Sequence, residues 1–261
     1  MAAVTGRPEA VSRLAARLQA LAAVDLDELT GRFALQTRVD RKYLVTPSAL
    51  EAMLDEVAAV VSALDIAGRR VFAYRSMYFD TPDLLCFRDH RQGRRRRFKV
   101  RTRYYLDSGD CLLEVKATSP RGETVKHRRE HPAAAADRLT ETGRAFAADA
   151  LDGHPAVPAL RPSLVTDYFR ATLLDHAAGS RMTIDTGLRF AGPHRTIPAP
   201  PGTVVIETKS AGRPGSADSA LHRLGIRPVS ISKYCVGTAL VHPGLPANPW
   251  NRVLRRHFSG S

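Results

Sequence analysis

The chain has 261 residues, with 39 Lys and Arg against 26 Asp and Glu, a formal net charge of +13. Hydrophobic residues make up 44% and charged residues 25%, which excludes a mostly disordered chain, a collagen-like repeat and a disulfide scaffold. Cys86, Cys111 and Cys235 form no CxxC pair and point to a reducing, cytoplasmic setting. No run approaches the ~18 apolar residues of a bilayer span, so no membrane insertion is expected.

In chain order, Val11, Leu14, Leu18 and Leu21 recur at helical spacing ahead of Asp25, Asp27 and Glu28. This predicts a packed amphipathic helix in an N-terminal extension, residues 1–30. From Phe33 to Val45 apolar and polar residues alternate, the period of a strand. Thr46-Pro47-Ser48 opens a helix whose apolar stripe is Leu50, Met53, Leu54, Val57 and Val61. Strands are expected at about 71–79, 96–105, 111–117 and 123–130, with Asp107-Ser108-Gly109-Asp110 a hairpin loop and 119–122 a turn. The alanine-rich stretch 132–151 reads as helical. Strands resume at about 163–174, 181–190 and 203–209, followed by short helices near 216–224 and 233–240. Asp80, Asp83 and Asp185 read as turn or capping residues. Short connections favour antiparallel pairing, and eight strands can close on themselves. The expected fold is α+β, an eight-stranded antiparallel β-barrel with flanking helices in residues 31–245, followed by a tail, 246–261.

The charge is unevenly placed. From Arg97 onward Arg97, Lys99, Arg101 and Arg103 alternate with Phe98, Val100, Thr102 and Tyr104, so one strand face is cationic and the other largely apolar. Neighbours on that face stand about 7 Å apart and repel unless an anion lies across them. The pattern recurs as Glu114 with Lys116, Lys126 with Arg128, Tyr168 with Arg170, and Glu207 with Lys209. Several such faces in one barrel would line its interior with cations, which needs water and a polyanion inside. Nucleic acid is disfavoured as a partner, because aromatics are only 7% and no recognition helix or RNP-like pattern is visible. Neither GxxxxGK[ST] nor GxGxxG occurs. A strand-lined tunnel for polyphosphate or triphosphate is the reading that remains.

Eight stretches in order resemble the VTC domain, the polyphosphate polymerase module of the triphosphate tunnel metalloenzyme, or CYTH-like, superfamily. They are Arg38-Val-Asp-Arg-Lys-Tyr43, Tyr74-Arg-Ser-Met-Tyr-Phe-Asp-Thr-Pro82, Lys99-Val-Arg-Thr-Arg-Tyr104, Leu113-Glu-Val-Lys116, Tyr168-Phe-Arg170, Arg181-Met-Thr-Ile-Asp185, Ile206-Glu-Thr-Lys209 and Ser230-Ile-Ser-Lys-Tyr234. The resemblance implies an eight-stranded antiparallel tunnel that moves the γ-phosphate of ATP onto polyphosphate with Mn²⁺ or Mg²⁺. It implies that Lys42, Arg101, Arg103, Lys116, Lys126, Arg170 and Lys233 hold the phosphate chain in its reacting position. Tyr168 and Ser232 would donate hydroxyl hydrogen bonds, and Arg97, Lys99 and Lys209 would add substrate contacts. Glu207 would bind the metal, with Glu114 a second candidate; ion pairing with tunnel lysines is the alternative for both. Two departures stand out. Arg38, Asp40 and Lys42 occupy the place of the superfamily's ExExK, which argues against a two-metal triphosphatase. Ser230 stands where eukaryotic polymerases carry lysine. Triphosphate hydrolysis and a non-catalytic polyphosphate-binding module therefore stay open as alternatives.

Overall fold

The computed structural model describes residues 9–31, 39–119 and 124–258. Helix α1 (Glu9–Gln19) buries Val11, Leu14 and Leu18, as their spacing requires. A short strand β1 (Ala22–Val24) and helix α2 (Leu26–Gly31) follow. Strand β2 (Val39–Val45) is the described part of the strand expected from Phe33; residues 33–38, Arg38 among them, lie outside the described residues. Thr46 caps α3 (Pro47–Val57) by accepting from the Ala49 amide, with Pro47 in the first turn, where a missing N–H costs nothing.

Val61 does not extend the helical stripe. Residues Val61–Leu64 form β3, all four buried, parallel to β1 and antiparallel to a later strand. A run of four buried residues carries no period that separates strand from helix.

The remaining elements are β4 (Phe72–Asp80), α4 (Leu85–Arg91), β5 (Arg97–Tyr105), β6 (Cys111–Thr118), β7 (Thr124–Glu130), α5 (Glu141–Asp149), β8 (Arg161–Asp175), β9 (Ser180–Ala191), β10 (Thr196–Pro198), β11 (Val204–Ser210), α6 (Ser216–Arg223), α7 (Lys233–Val241) and α8 (Asn251–His257). The Asp107–Asp110 loop turns the β5–β6 hairpin, with Gly109 at a φ of +82° and the Tyr105 amide donating to the Asp110 carbonyl at 2.8 Å. The stretch 132–151 is helical in two pieces, a 3₁₀ turn at Ala133–Ala135 and then α5, capped by Thr140.

Eight strands run in the order β2-β11-β9-β8-β4-β5-β6-β7, every neighbouring pair antiparallel. The sheet curls into a half-barrel with flanking helices, the expected architecture. Two apolar layers back it. One joins Tyr43, Met53, Leu54, Ile184 and Ile206 beneath α1, α3 and α6. The other joins Phe98, Val100, Leu113, Val115, Leu164, Phe190 and Trp250. Helix α7 presses close to the sheet: a Cβ at Gly237 would stand 2.5 Å from the Phe190 ring and 2.8 Å from Leu164. That approach brings Lys233, the first residue of α7, over the sheet's cationic face.

Candidate phosphate-binding face

Cross-strand register gathers the alternating residues into one surface. Tyr78 pairs with Arg101 and Arg101 with Glu114; Lys99 pairs with Lys116 and Lys116 with Lys126. On the other flank Arg170 pairs with Asp185, Glu207 with both Thr183 and Lys42, and Lys209 with Asp40. Phe98 and Val100 point the opposite way and are 4% and 0% exposed, so core burial fixes which face carries the charge.

Carboxylates hold most of the arginines. Glu114, 3% exposed, takes Arg101 through Nε at 2.7 Å and Nη2 at 2.6 Å, Arg103 at 3.3 Å, and Lys126 on its other oxygen. Burial pulls the Glu114 carboxyl upward, but Arg101 and Lys126 outweigh it and hold it at about 2. Both oxygens are thus committed to cations, and Glu114 does not fit the role of metal ligand. Asp185 is fully buried and receives Arg170 in a bidentate fork, at 2.6 and 2.7 Å, together with Lys233. Burial raises its carboxyl, and Arg170 and Lys233 more than reverse that. The expectation that Asp185 is a turn or capping residue is therefore overturned. Asp80 does meet it, accepting the amides of Thr81, Cys86 and Phe87 and the Tyr234 hydroxyl.

Tyrosines floor the site. Tyr74 and Tyr168 stack with centroids 5.4 Å apart and planes 6° from parallel. Arg170 lies 5.2 Å from the Tyr168 centroid and Lys233 5.0 Å, so Tyr168 offers these cations its ring. Arg101 donates to the Tyr78 hydroxyl at 2.8 Å. Ser232 caps α7 by accepting from the Cys235 amide, which leaves its hydroxyl hydrogen available.

Glu207 is ion-paired to Lys209 at 2.9 Å, and Lys209 also approaches Asp40 at 3.7 Å. Burial raises the Glu207 carboxyl, while Lys209, Lys42 and Arg170 pull it well below the ordinary range. Among the described residues no cluster of three or more His, Cys, Asp or Glu side chains is arranged to hold a metal. A hard cation that takes one or two carboxylates and fills its shell with phosphate oxygens and water still suits Glu207.

Lys42, Lys99 and Lys116 have no carboxylate partner among the described residues. Burial lowers the Lys99 ammonium to about 8, with Lys116, Lys42 and Arg101 pushing the same way. Arg97 likewise reaches only the Arg94 carbonyl, at 2.6 Å. One end of the face is therefore neutralised internally and the other is not.

Sequence reading missed Asp185, Tyr74 and Tyr78 as parts of this surface. The signal for Asp185 was present: Arg181, Thr183 and Asp185 alternate with Met182 and Ile184, which are 4% and 0% exposed.

A curled antiparallel sheet with a cation-lined inner face belongs to the triphosphate tunnel class of folds. The chain is a member of the VTC domain family, whose family model matches residues 37–242. A solved protein from Hippeastrum, studied as an adenylyl cyclase and described as having a dominant triphosphatase activity, is similar at a TM-score of 0.51 and 16% identity, over 80% of this chain and 99% of that one. An adenylate cyclase candidate from Vibrio parahaemolyticus aligns at a TM-score of 0.46 and 12% identity, over 76% and 96% of the two chains. No functionally curated protein matches at the sequence level. Among the described residues no helix is long and apolar enough to cross a membrane.

Proposed function

We propose that the chain is a metal-dependent phosphotransferase that moves the γ-phosphate of ATP onto polyphosphate held along the concave face. The observation that carries this reading is the excess of Lys42, Arg97, Lys99 and Lys116 over available carboxylates, since such cations need an anion across them. Membership of the VTC family supports it.

Phosphoryl transfer asks for positioning and for neutralisation of charge spread over phosphate oxygens, more than for covalent help. Arg170 and Lys233, fixed by Asp185, and Arg101, Arg103 and Lys126, fixed by Glu114, supply donors whose directions are set before substrate arrives. Lys42, Lys99, Lys116 and Arg97 supply uncompensated charge. Ser232 and Lys209 border the same face, and the Tyr168 ring backs it. Glu207 would hold Mn²⁺ or Mg²⁺, whose chemistry is to draw negative charge from phosphate oxygens.

Incubation with ATP and Mn²⁺, followed by sizing of the phosphate product, tests the reading. Long chains support the polymerase. Orthophosphate alone identifies a triphosphatase, and tight binding without turnover a binding module.

A further inference from the structure

We propose that His90 is a further ligand of the phosphate chain, an imidazole that takes up one proton from solvent as the anion binds and donates it to a phosphate oxygen. The proposal rests on the concave face being the phosphate site.

His90 lies in the last turn of α4, which packs on β5. Its Nδ1 stands 2.8 Å from the Cys86 carbonyl, which can only accept, so Nδ1 carries the hydrogen and Nε2 holds a lone pair. The side chain is half-buried. Arg97 and Lys99 on β5 and Lys116 on β6 act on it, all of them cations without carboxylate partners among the described residues. Burial first, then Lys99, Arg97 and Lys116, depress the imidazole to about 3, against the pull of the Cys86 carbonyl.

The other groups around α4 are already engaged. Asp80 at the end of β4 is taken by α4 amides and by Tyr234. Asp89 on α4 is opposed by Arg94, Arg88 and His154. Cys86 on α4 and Cys235 on α7 are held as neutral thiols by burial. A neutral base thus sits in a field of cations beside a site built for anions.

An anion lying across Lys99 and Lys116, which are direct cross-strand neighbours, cancels the charge that keeps His90 neutral. The protonated ring then adds a charge-assisted donor. The sign follows from linkage. His90 binds its proton more tightly in the complex than in the free protein, so its contribution to affinity is complete below the free-state value. It is lost as pH rises through the value in the complex, at most about tenfold per pH unit.

Calorimetry of tripolyphosphate binding in two buffers of different ionisation enthalpy counts the protons. The wild type should take up about one proton more per triphosphate than His90→Asn, and its advantage in affinity should grow as pH falls from about 8 to about 6. The variant is compared because triphosphate's own titration cancels between the two proteins. Equal proton counts with triphosphate bound would overturn the role of His90 and leave the tunnel reading intact. No binding to the wild type would overturn both. The ring carbon shift of His90 in the wild type, followed by NMR with and without triphosphate, gives the same answer without a variant: it should move to the imidazolium position on binding, and a ring that stays neutral refutes the proposal.

Discussion

Replacing Asp185 by Asn probes the best-defined ionic junction in the molecule. The side chain is fully buried, and its two oxygens hold the Arg170 fork and the Lys233 ammonium. Asn keeps the volume and one acceptor but removes the charge, leaving two cations buried on one face. Breaking a buried pair by removing one partner costs about 3–5 kcal/mol, most of it from the charge left behind. At roughly 2–4 °C per kcal/mol for a chain of this size, the free protein should melt about 6–20 °C lower. Tripolyphosphate supplies negative charge to the same cations, so it should recover much of the loss and protect the variant by more degrees than the wild type. Differential scanning calorimetry with and without triphosphate measures both effects. A variant that melts within about 2 °C of the wild type, or gains no extra protection, would show that Asp185 does not fix Arg170 and Lys233 against their mutual repulsion.

The Glu114 carboxyl sits at about 2 in the folded protein against an ordinary value of 4.5, so its stabilisation is complete above about pH 4.5 and is lost as pH falls toward 2. Glu114→Gln should lower stability by about 3 kcal/mol at neutral pH and flatten the acid limb of the stability profile, as urea titrations at stepped pH would show. Lys99→Met removes a cation that is repelled by Lys116, Lys42 and Arg101, so the free protein should melt higher while triphosphate affinity falls; a variant that loses both refutes the picture of uncompensated charge. Arg101→Ala should reduce ATP turnover by about a hundredfold in a steady-state assay. Arg103 and Lys126 stay on Glu114, so the fold should survive.

The fold was legible where one face of a strand had to be buried. Phe98, Val100, Leu113 and Val115 fix the register of β5 and β6, and the cationic face follows from them. Short segments were not legible. β1 and β3, of three and four residues, owe their strand state to pairing with each other and with β8, a tertiary contact without local period. The site was legible as a set of charges but not as a set of pairs. Which cations Glu114 and Asp185 neutralise depends on cross-strand register and, for Lys233, on how closely Gly237 lets α7 approach. His90 drew no notice, because a lone histidine in a helix acquires meaning only when Arg97, Lys99 and Lys116 are found around it.

The account stands on the concave face being a site for a phosphate chain in particular, and a thermal melt at physiological salt with tripolyphosphate beside an RNA oligomer of equal total charge tests this most directly. At about 100 times its dissociation constant a ligand adds about 2.7 kcal/mol, a shift of several degrees. Tripolyphosphate should produce that shift and the RNA should not, because the charge lies in a narrow groove of paired strands. Equal or greater protection by RNA would contradict the account.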